Sequence, residues 1–297
     1  MRRHFSLLIL SGALLALAGC ALEEQPVPPP SAAQAPADSV PTEVAPAAPR
    51  GLWPSDAPPI RAVSAILIDA RTGRTLYEKN ADAPRQVAST QKLLTGLIVA
   101  ESDPLDAPVR ISPEDTRVEP TKVGLRAGET YPRRQLLSAM MVKSANDCAA
   151  ALARSHSGSI PAFSEEMNSL ARRCGATCSR FVNPHGLPAP QHSTARDMAR
   201  IAFRAYRNPD LRRTMALRSY CFRYANGRLC FLDPTDKLLA VSPCYNGMKT
   251  GYTEQAGKCL ITSYSRGGRE YILVQLGSHA PQIFNDAQTV IGWAESK

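Results

Sequence analysis

Apolar and polar residues alternate in two parts of the chain that lie far apart in sequence. The early stretch AVSAILIDARTGRTLYEKN holds two strand-like runs joined at Thr72 and Gly73, which predicts a β-hairpin. After residue 216 the strand pattern returns, and KCLITSYSRGGREYILVQLGS predicts two strands with a tight turn at Gly267 and Gly268. The sequence therefore predicts one sheet that is built from both ends of the chain.

The middle of the chain instead spaces apolar residues three and four positions apart. Residues 105–180 are mostly helical in pattern, as in RRQLLSAMMVKSANDCAAALAR and IPAFSEEMNSLARRCG. STARDMARIAFRAY predicts a further helix capped by Ser193 or Thr194, and a last amphipathic helix is predicted over residues 282–295. A sheet from distant segments with helices between them indicates an α/β (α+β) fold with an inserted, mostly helical lobe. The sequence shows no internal repeat.

The first residues have the pattern of an export signal. Arg2 and Arg3 precede the apolar run LLILSGALLALAGC, which is too short for a membrane-spanning helix. Its LAGC ending resembles a bacterial lipobox, so residues 1–19 are expected to be a lipoprotein signal peptide and Cys20 the lipidated residue. The alternative is an ordinary secreted protein that is cut near Ala18. Ala21 after the cysteine favours the outer over the inner membrane, by resemblance to the sorting rules of diderm bacteria.

A proline-rich linker follows the expected anchor. Residues 21–59 contain eleven of the 25 prolines and almost no periodic apolar pattern. We expect residues 20–59 to be a lipidated anchor with a Pro/Ala-rich tether, and residues 60–297 to form the folded domain. The domain would then be exported and held at the periplasmic face of a membrane.

The charge of the chain is moderately positive, at a formal +9. Without residues 1–19, which carry two arginines and no acids, the net charge falls to +7. The basic residues are scattered and lack interleaved aromatic residues, so nothing indicates a nucleic-acid partner.

Eight cysteines in an exported chain suggest disulfides, and seven remain when Cys20 is set aside. Cys148, among helix-forming alanines, is expected to be a buried free thiol. The other cysteines are expected to form three local pairs, which are Cys174 with Cys178, Cys221 with Cys230 across a hairpin, and Cys244 with Cys259. A metal site formed by Cys174, Cys178 and His185 is an alternative, although the spacing matches no zinc pattern.

Three short polar motifs stand out against this background. Ser89 and Lys92 lie one turn apart at the start of a helix that otherwise buries leucines, followed by Ser144-Ala-Asn146 and by Lys249-Thr-Gly251. The motifs occur in that order, about 55 and 105 residues apart, in a chain with eight lysines against 27 arginines. Each motif alone has an ordinary interpretation, as a helix cap, a loop or a surface lysine.

Together the motifs resemble those of the penicillin-recognising serine acyltransferases. Three longer stretches narrow the resemblance to the D-alanyl-D-alanine carboxypeptidase family of low-molecular-mass penicillin-binding proteins: GLRAGETYPRRQLLSAMMVKSANDCAAALA, FVNPHGLPAPQHSTARDMARIA and GMKTGYTEQAGKCLITS. The resemblance covers residues 60–297 and implies a β-lactamase/transpeptidase-like antiparallel sheet flanked by helices. It also implies hydrolysis of the terminal D-alanine from peptidoglycan stem pentapeptides, inhibition by β-lactam antibiotics, and no cofactor or metal.

The residue types fit this chemistry. The Ser89 hydroxyl needs a base, and a neutral Lys92 can take its proton, because burial, a helix N-terminus and the cation of Lys249 all disfavour the charged lysine. By resemblance, Ser144 relays a proton to the leaving amine and Asn146 binds the substrate peptide or Lys92. The resemblance also gives the substrate-binding residues, with Lys249 and Thr250 holding the terminal carboxylate, Gly251 allowing close approach, and the backbone N–H of Tyr252 joining that of Ser89 at the oxyanion.

Several competing functions remain open from the sequence. A D,D-endopeptidase of the same family would cut cross-links between stems, and a transpeptidase or a non-catalytic wall-binding lipoprotein is also possible. A β-lactamase would need a deacylating glutamate, but Glu165 and Asn168 have the wrong spacing and lie on a predicted helix. His185 could suggest a Ser-His-Asp triad, but we interpret it as a turn residue before Gly186.

Overall fold

A computed structural model describes residues 56–102, 104–279 and 282–297 of the chain. The described residues all belong to one structural unit. The predicted signal peptide, Cys20 and all of the tether before residue 56 lie outside them. None of the helices in these three ranges is long and apolar enough to cross a bilayer.

A five-stranded antiparallel sheet forms the centre of the fold, with strand order β2-β1-β9-β8-β7. The N-terminal strand β1 pairs with β2 on one side and with the C-terminal strand β9 on the other, as the alternating pattern at both ends of the chain predicts. The strands of this sheet are β1 (Ser64–Asp69), β2 (Thr75–Lys79), β7 (Tyr245–Thr253), β8 (Gly257–Arg266) and β9 (Arg269–Ser278).

Helices cover both faces of the sheet. They are α1 (Lys92–Ser102), α2 (Arg133–Val142), α3 (Asn146–Ser157), α4 (Ile160–Arg173), α5 (Ala195–Arg207), α6 (Pro209–Met215), α7 (Leu238–Val241) and α8 (Ile283–Glu295). On one face, Ile66, Ile272 and Val274 pack into a large core with the helical lobe. On the other, Leu67 and Leu273 pack against α8. The predicted fold class is confirmed.

The helical prediction is wrong for the first part of the central block. Residues 104–132 contain no α-helix and hold β3 (Pro108–Arg110) and β4 (Thr130–Pro132), which pair as a small separate sheet. Five prolines interrupt this stretch, and each lacks the backbone N–H that a helix interior needs. The helical expectation holds from Arg133 onward, and Thr194 caps α5 by accepting from the Asp197 N–H.

The predicted disulfides are not formed. All seven cysteines of the described residues are free thiols. Cys244 lies beside Ser265, whose N–H donates to its carbonyl, whereas Cys259 sits six residues earlier along β8. Six strand residues span about 20 Å, and a disulfide needs Cα atoms within about 7 Å.

Cys221 and Cys230 do not form a disulfide because the strand register of their hairpin differs by one residue from the predicted register. Strands β5 (Tyr220–Arg223) and β6 (Leu229–Leu232) align Phe222 with Cys230 and Cys221 with Phe231. Neighbouring residues of a strand point to opposite faces, so the two cysteines cannot meet. Cys148 is completely buried, as predicted, and burial, with Asp147 beside it, raises the pKa of its thiol well above the usual value.

Candidate active site

Ser89 lies in a single 3-10 turn, Ala88–Gln91, that leads into α1. Its hydroxyl does not cap the helix; its oxygen lies 3.2 Å from the His185 carbonyl oxygen and contacts the Lys92 side chain. The preceding Ala88 has a φ of +48°, a conformation that a residue with a side chain rarely adopts. Such strain is often found where surrounding structure fixes a functional residue, so the backbone here supports a nucleophile rather than an ordinary cap.

The Lys92 amine is completely buried beside that hydroxyl. Its Nζ lies 2.8 Å from Ser89 Oγ, 2.7 Å from Asn146 Oδ1 and 2.7 Å from the His185 carbonyl oxygen. A neutral amine has two N–H donors and one lone pair, so it can donate to the two carbonyl oxygens and accept from the serine hydroxyl. The geometry therefore fits a general base that is aimed at Ser89.

Burial is the main reason why Lys92 can be neutral. It lowers the pKa of the Lys92 amine well below its usual value, and the cation of Lys249 lowers it further. Cys148 and Asp147 oppose this shift. The pKa of His185 is lowered to about 3, first by burial and then by Lys92, so the imidazole is uncharged at neutral pH.

Ser144 and Asn146 occupy the break between α2 and α3. Ser144 has a φ of +66° and is 8% exposed, and Asn146 is the first residue of α3. The Asn146 N–H donates to the Thr121 carbonyl, and its side-chain amide lies 3.4 Å from the Glu119 carbonyl. These contacts direct the side-chain oxygen Oδ1 of Asn146 at the Lys92 amine.

Asp147 fixes the loop that borders this break. Its carboxylate is completely buried and accepts from the backbone N–H groups of Val123, Gly124 and Leu125. A carboxylate that accepts several backbone bonds holds a loop firmly, because losing it leaves each donor unpaired. Sequence reasoning did not single out Asp147.

Lys249 and Thr250 lie on β7, the edge strand of the sheet. The Lys249 side chain is 1% exposed, and burial lowers its pKa to about 7, while Asp236 opposes that shift. The Thr250 hydroxyl bonds to the Thr235 hydroxyl at 2.6 Å. Lys249 offers a cation and Thr250 a hydroxyl, two groups that are suited to binding a carboxylate.

Asp236 is a second residue that the sequence did not reveal. Its carboxylate accepts from the Leu238 N–H and the Thr262 hydroxyl. Burial raises its pKa to about 6, and the two hydrogen bonds and Lys249 oppose the shift. An acid within a polar run such as DPTDK gives no signal that it is buried.

Gly251 brings β7 against the Ser89 turn. A Cβ at Gly251 would lie 2.8 Å from the Ser89 nitrogen and 3.0 Å from the Thr90 nitrogen. The strand can therefore approach only because residue 251 lacks a side chain. Tyr252 follows on the strand with a side chain that is 60% exposed, so its backbone lies beside the mouth of the site.

The turn at Asn183–Gly186 closes the site from the other side. Gly186 has a φ of +85°, and a Cβ there would lie 2.1 Å from the Ala88 carbonyl oxygen. The turn presents the His185 carbonyl to both Ser89 and Lys92. His185 is thus a turn residue, as predicted, but its backbone belongs to the site, which a side-chain pattern cannot show.

All three motifs therefore meet in one region, through contacts of Lys92 with Ser89 and Asn146 and through the approach of Gly251 to Ser89. The alternative metal site is not formed, because no cluster of three or more His, Cys, Asp or Glu side chains in the described residues can hold an ion. Glu165 lies within α4, away from any loop, as expected.

Comparison with known proteins agrees with this geometry. A sequence profile of the D-alanyl-D-alanine carboxypeptidase family matches residues 53–280. A D-alanyl-D-alanine endopeptidase of Pseudomonas aeruginosa is 32% identical over 239 residues, which is 78% of this chain and 77% of that protein. The Bacillus subtilis D-alanyl-D-alanine carboxypeptidase DacF is 30% identical over 74% of this chain and 58% of its own length.

Solved structures show the same relationship. A D-alanyl-D-alanine carboxypeptidase of Mycobacterium tuberculosis superposes with a TM-score of 0.79 at 30% identity, covering 83% of this chain and 97% of that one. The Streptomyces K15 DD-transpeptidase gives 0.77 at 28% identity, covering 81% and 99%. With its contact between Ser89 and the buried Lys92 and its matches in sequence and structure, the chain belongs to the D-alanyl-D-alanine carboxypeptidase family of serine peptidases.

Proposed function

We propose that the protein removes the terminal D-alanine from peptidoglycan stem pentapeptides through an acyl-serine intermediate. The observation that supports this most directly is the 2.8 Å contact between the buried Lys92 amine and the Ser89 hydroxyl. Lys249 and Thr250 beside it suit the free carboxylate that ends a pentapeptide stem.

In the proposed acylation, Ser89 Oγ attacks the carbonyl carbon of the penultimate D-alanine while its proton passes to neutral Lys92. The negative charge that forms on the carbonyl oxygen is stabilised by the backbone N–H groups of Ser89 and Tyr252. The carbon–nitrogen bond then breaks, and Ser144 relays the proton from Lys92 to the departing amine of D-alanine.

Deacylation repeats the same chemistry with water in place of serine. Lys92 takes a proton from a water molecule that attacks the ester, and the Ser89 oxygen leaves with that proton. Asn146 orients Lys92 in both halves of the cycle, since it holds the amine at 2.7 Å. β-Lactams acylate the same serine, and slow hydrolysis of that ester makes them inhibitors.

The second candidate is endopeptidase action on cross-linked stems. The relative in Pseudomonas aeruginosa, 32% identical to this chain, is named an endopeptidase, which favours this alternative. Both activities use the same serine and differ only in which side chains flank the scissile bond.

The decisive experiment incubates the protein separately with purified pentapeptide and with cross-linked muropeptide dimers and weighs the products. Release of D-alanine from the pentapeptide, lost in Ser89→Ala, supports the carboxypeptidase. Separation of the dimers without release of D-alanine would instead show that the protein is an endopeptidase. If fluorescent penicillin fails to label the intact protein, the enzyme is ruled out in favour of a wall-binding protein.

We further propose that the protein is exported and anchored through lipid on Cys20, with the domain on a periplasmic membrane face and the outer membrane favoured. The support is the LAGC sequence and the proline-rich segment after it. Radiolabelled palmitate should be incorporated into the wild type and not into Cys20→Ala. Incorporation into both forms, or into neither, would contradict this proposal.

A further inference from the structure

One end of the main sheet presents a cluster of cations that the active site does not use. Arg71, Arg74, Arg269 and Lys297 are all exposed and line a groove of about 640 Å³. Arg71 also lines an adjoining cavity of about 270 Å³, together with Arg207 and Arg212. We refer to these six side chains as the basic end.

The acids in the same lining do not neutralise it. Asp69 accepts from the backbone N–H groups of Arg71 and Thr72, and Glu270 lies 3.8 Å from Arg212. Asp56 contacts Lys297 and the Trp293 indole. Six cations face three acids in this lining, so it carries a net positive charge. Such a surface attracts anions.

The N-terminal part of the chain reaches the domain at this place. Asp56, the first described residue, lines the groove beside Trp293. The chain therefore enters the described part of the domain at the basic end. Trp293 is half-buried, with its ring edge-on to Tyr77 and Lys297 at 5.9 Å from its centre. Tryptophan beside cations is typical of residues at a membrane–water interface.

The basic end lies opposite the active site along the strands. Tyr252, beside the site, pairs with Lys258 at the start of β8, and Arg266 at the other end of β8 pairs with Arg269. Lys258 and Arg266 are eight residues apart along β8, which corresponds to a distance of about 25 Å. If another surface binds the basic end, the Ser89 site therefore faces away from that surface.

We propose that the basic end docks on an anionic phospholipid surface and orients the catalytic site away from the membrane. The cations contact lipid phosphates, and Trp293 lies at the headgroup level. Docking needs neither peptidase activity nor acylation of Cys20, so the failure of this proposal and that of the proposed function can be told apart.

The test measures sedimentation with vesicles of residues 21–297, which lack both the apolar run of the signal segment and Cys20, so that neither one can bind the lipid. Vesicles contain either phosphatidylcholine alone or phosphatidylcholine with 30% phosphatidylglycerol. We expect stronger binding to the anionic vesicles, and release at about 1 M salt, where the screening length falls to roughly 3 Å.

Two triple variants of equal net charge locate the surface. The first variant changes Arg71, Arg74 and Arg269 to glutamine. The control variant also changes three arginines to glutamine, at exposed positions of the helical lobe: Arg117, Arg172 and Arg173. A juxtamembrane cation contributes about fivefold to binding, so the first variant should lose on the order of one hundredfold and the control little. Labelling by fluorescent penicillin should stay unchanged in both.

Equal losses in the two variants would overturn the proposal, because net charge alone would then explain the binding. Equal binding to neutral and anionic vesicles would overturn it as well. Binding to an anionic polymer such as polyglutamate without binding to anionic vesicles would show that the cations select another partner.

Discussion

At the residue scale, the proposed mechanism depends on the charge of two buried lysines. Burial lowers the pKa of both, but their tasks are opposite, because Lys92 must be neutral to take a proton and Lys249 must be charged to hold a carboxylate. Repulsion by Lys249 lowers the pKa of Lys92, and Asp236 keeps the pKa of Lys249 from falling further.

Replacing Lys92 by alanine should reduce acylation by penicillin about 10³-fold or more, the scale expected for loss of a general base. The fold should survive, since alanine leaves no unpaired charge in the core. Stopped-flow measurement of acylation checks this, with Lys79→Ala on β2 as the control. A Lys92→Ala enzyme that acylates at the wild-type rate would contradict the assigned role.

The pH dependence should follow from the same two groups. The kcat/KM for a carboxylate substrate should rise as Lys92 loses its proton and fall as Lys249 loses its own near pH 7, because neutral Lys249 no longer attracts the substrate. In Asp236→Asn the pKa of Lys249 should drop, so the falling limb should move to lower pH. A limb that stays in place, or moves upward, would show that Asp236 does not act on Lys249.

The sequence predicted that the motif residues lie together, because side-chain chemistry at fixed spacing is visible in it. It did not predict the His185 carbonyl or the buried state of Asp236. A backbone carbonyl is common to every residue, and burial of a single acid depends on which loop packs over it.

At the scale of elements, the close approach of β7 to the Ser89 turn is the critical contact. Gly251→Ala should lower acylation on the order of 10²-fold, since its Cβ would lie 2.8 Å from the Ser89 nitrogen and displace the oxyanion donors. Gly292→Ala in α8 is the matched control, because a Cβ there meets nothing within 4 Å. Penicillin acylation rates and circular dichroism of both variants check this. Unchanged acylation in Gly251→Ala would contradict the approach.

The loop at residues 121–125 should depend on Asp147. Asp147→Ala leaves backbone donors of Val123, Gly124 and Leu125 without their acceptor and should lower the free energy of unfolding by about 3 kcal/mol. Asp147→Asn keeps one acceptor oxygen and should lose less. Urea denaturation measures both, and two equally stable variants would show that the backbone donors find other partners.

Elements with regular patterns were predicted correctly and irregular ones were not. Helix α8 was expected over residues 282–295 and is Ile283–Glu295. The β5–β6 hairpin was also expected, but its register was wrong by one residue. In its loop the Tyr224 N–H donates to the Arg228 carbonyl, and Gly227 has a φ of +85°. The loop is therefore a three-residue turn with a bulge, and this odd number of loop residues shifts the pairing of the two strands by one position.

At the scale of the whole molecule, the sheet keeps Cys244 and Cys259 too far apart to form a disulfide. Peptide mapping of the unreduced, alkylated protein should find no Cys244–Cys259 disulfide. Without denaturant, a thiol reagent should modify the exposed Cys178 and Cys221 and leave the buried Cys148 and Cys259 unmodified. Detection of a Cys244–Cys259 peptide would mean that the strand register of β8 is wrong.

The architecture of the whole molecule could be inferred because the strand pattern occurs at both ends of the chain and the helical pattern between them. Pairing of β1 with β9 follows from that arrangement. The pairing of cysteines could not be inferred, since proximity in sequence says little about distance across a sheet whose strands are ten residues long.

The proposed mechanism requires above all that Lys92 is uncharged at neutral pH. Lysine labelled with ¹³C at Cε reports the charge of each of the eight amines during an NMR titration, and Lys92→Gln assigns the signal. We expect the Lys92 signal of the unacylated protein to be that of a neutral amine at pH 7. A signal that titrates near the ordinary lysine pKa of about 10.4 would contradict the mechanism.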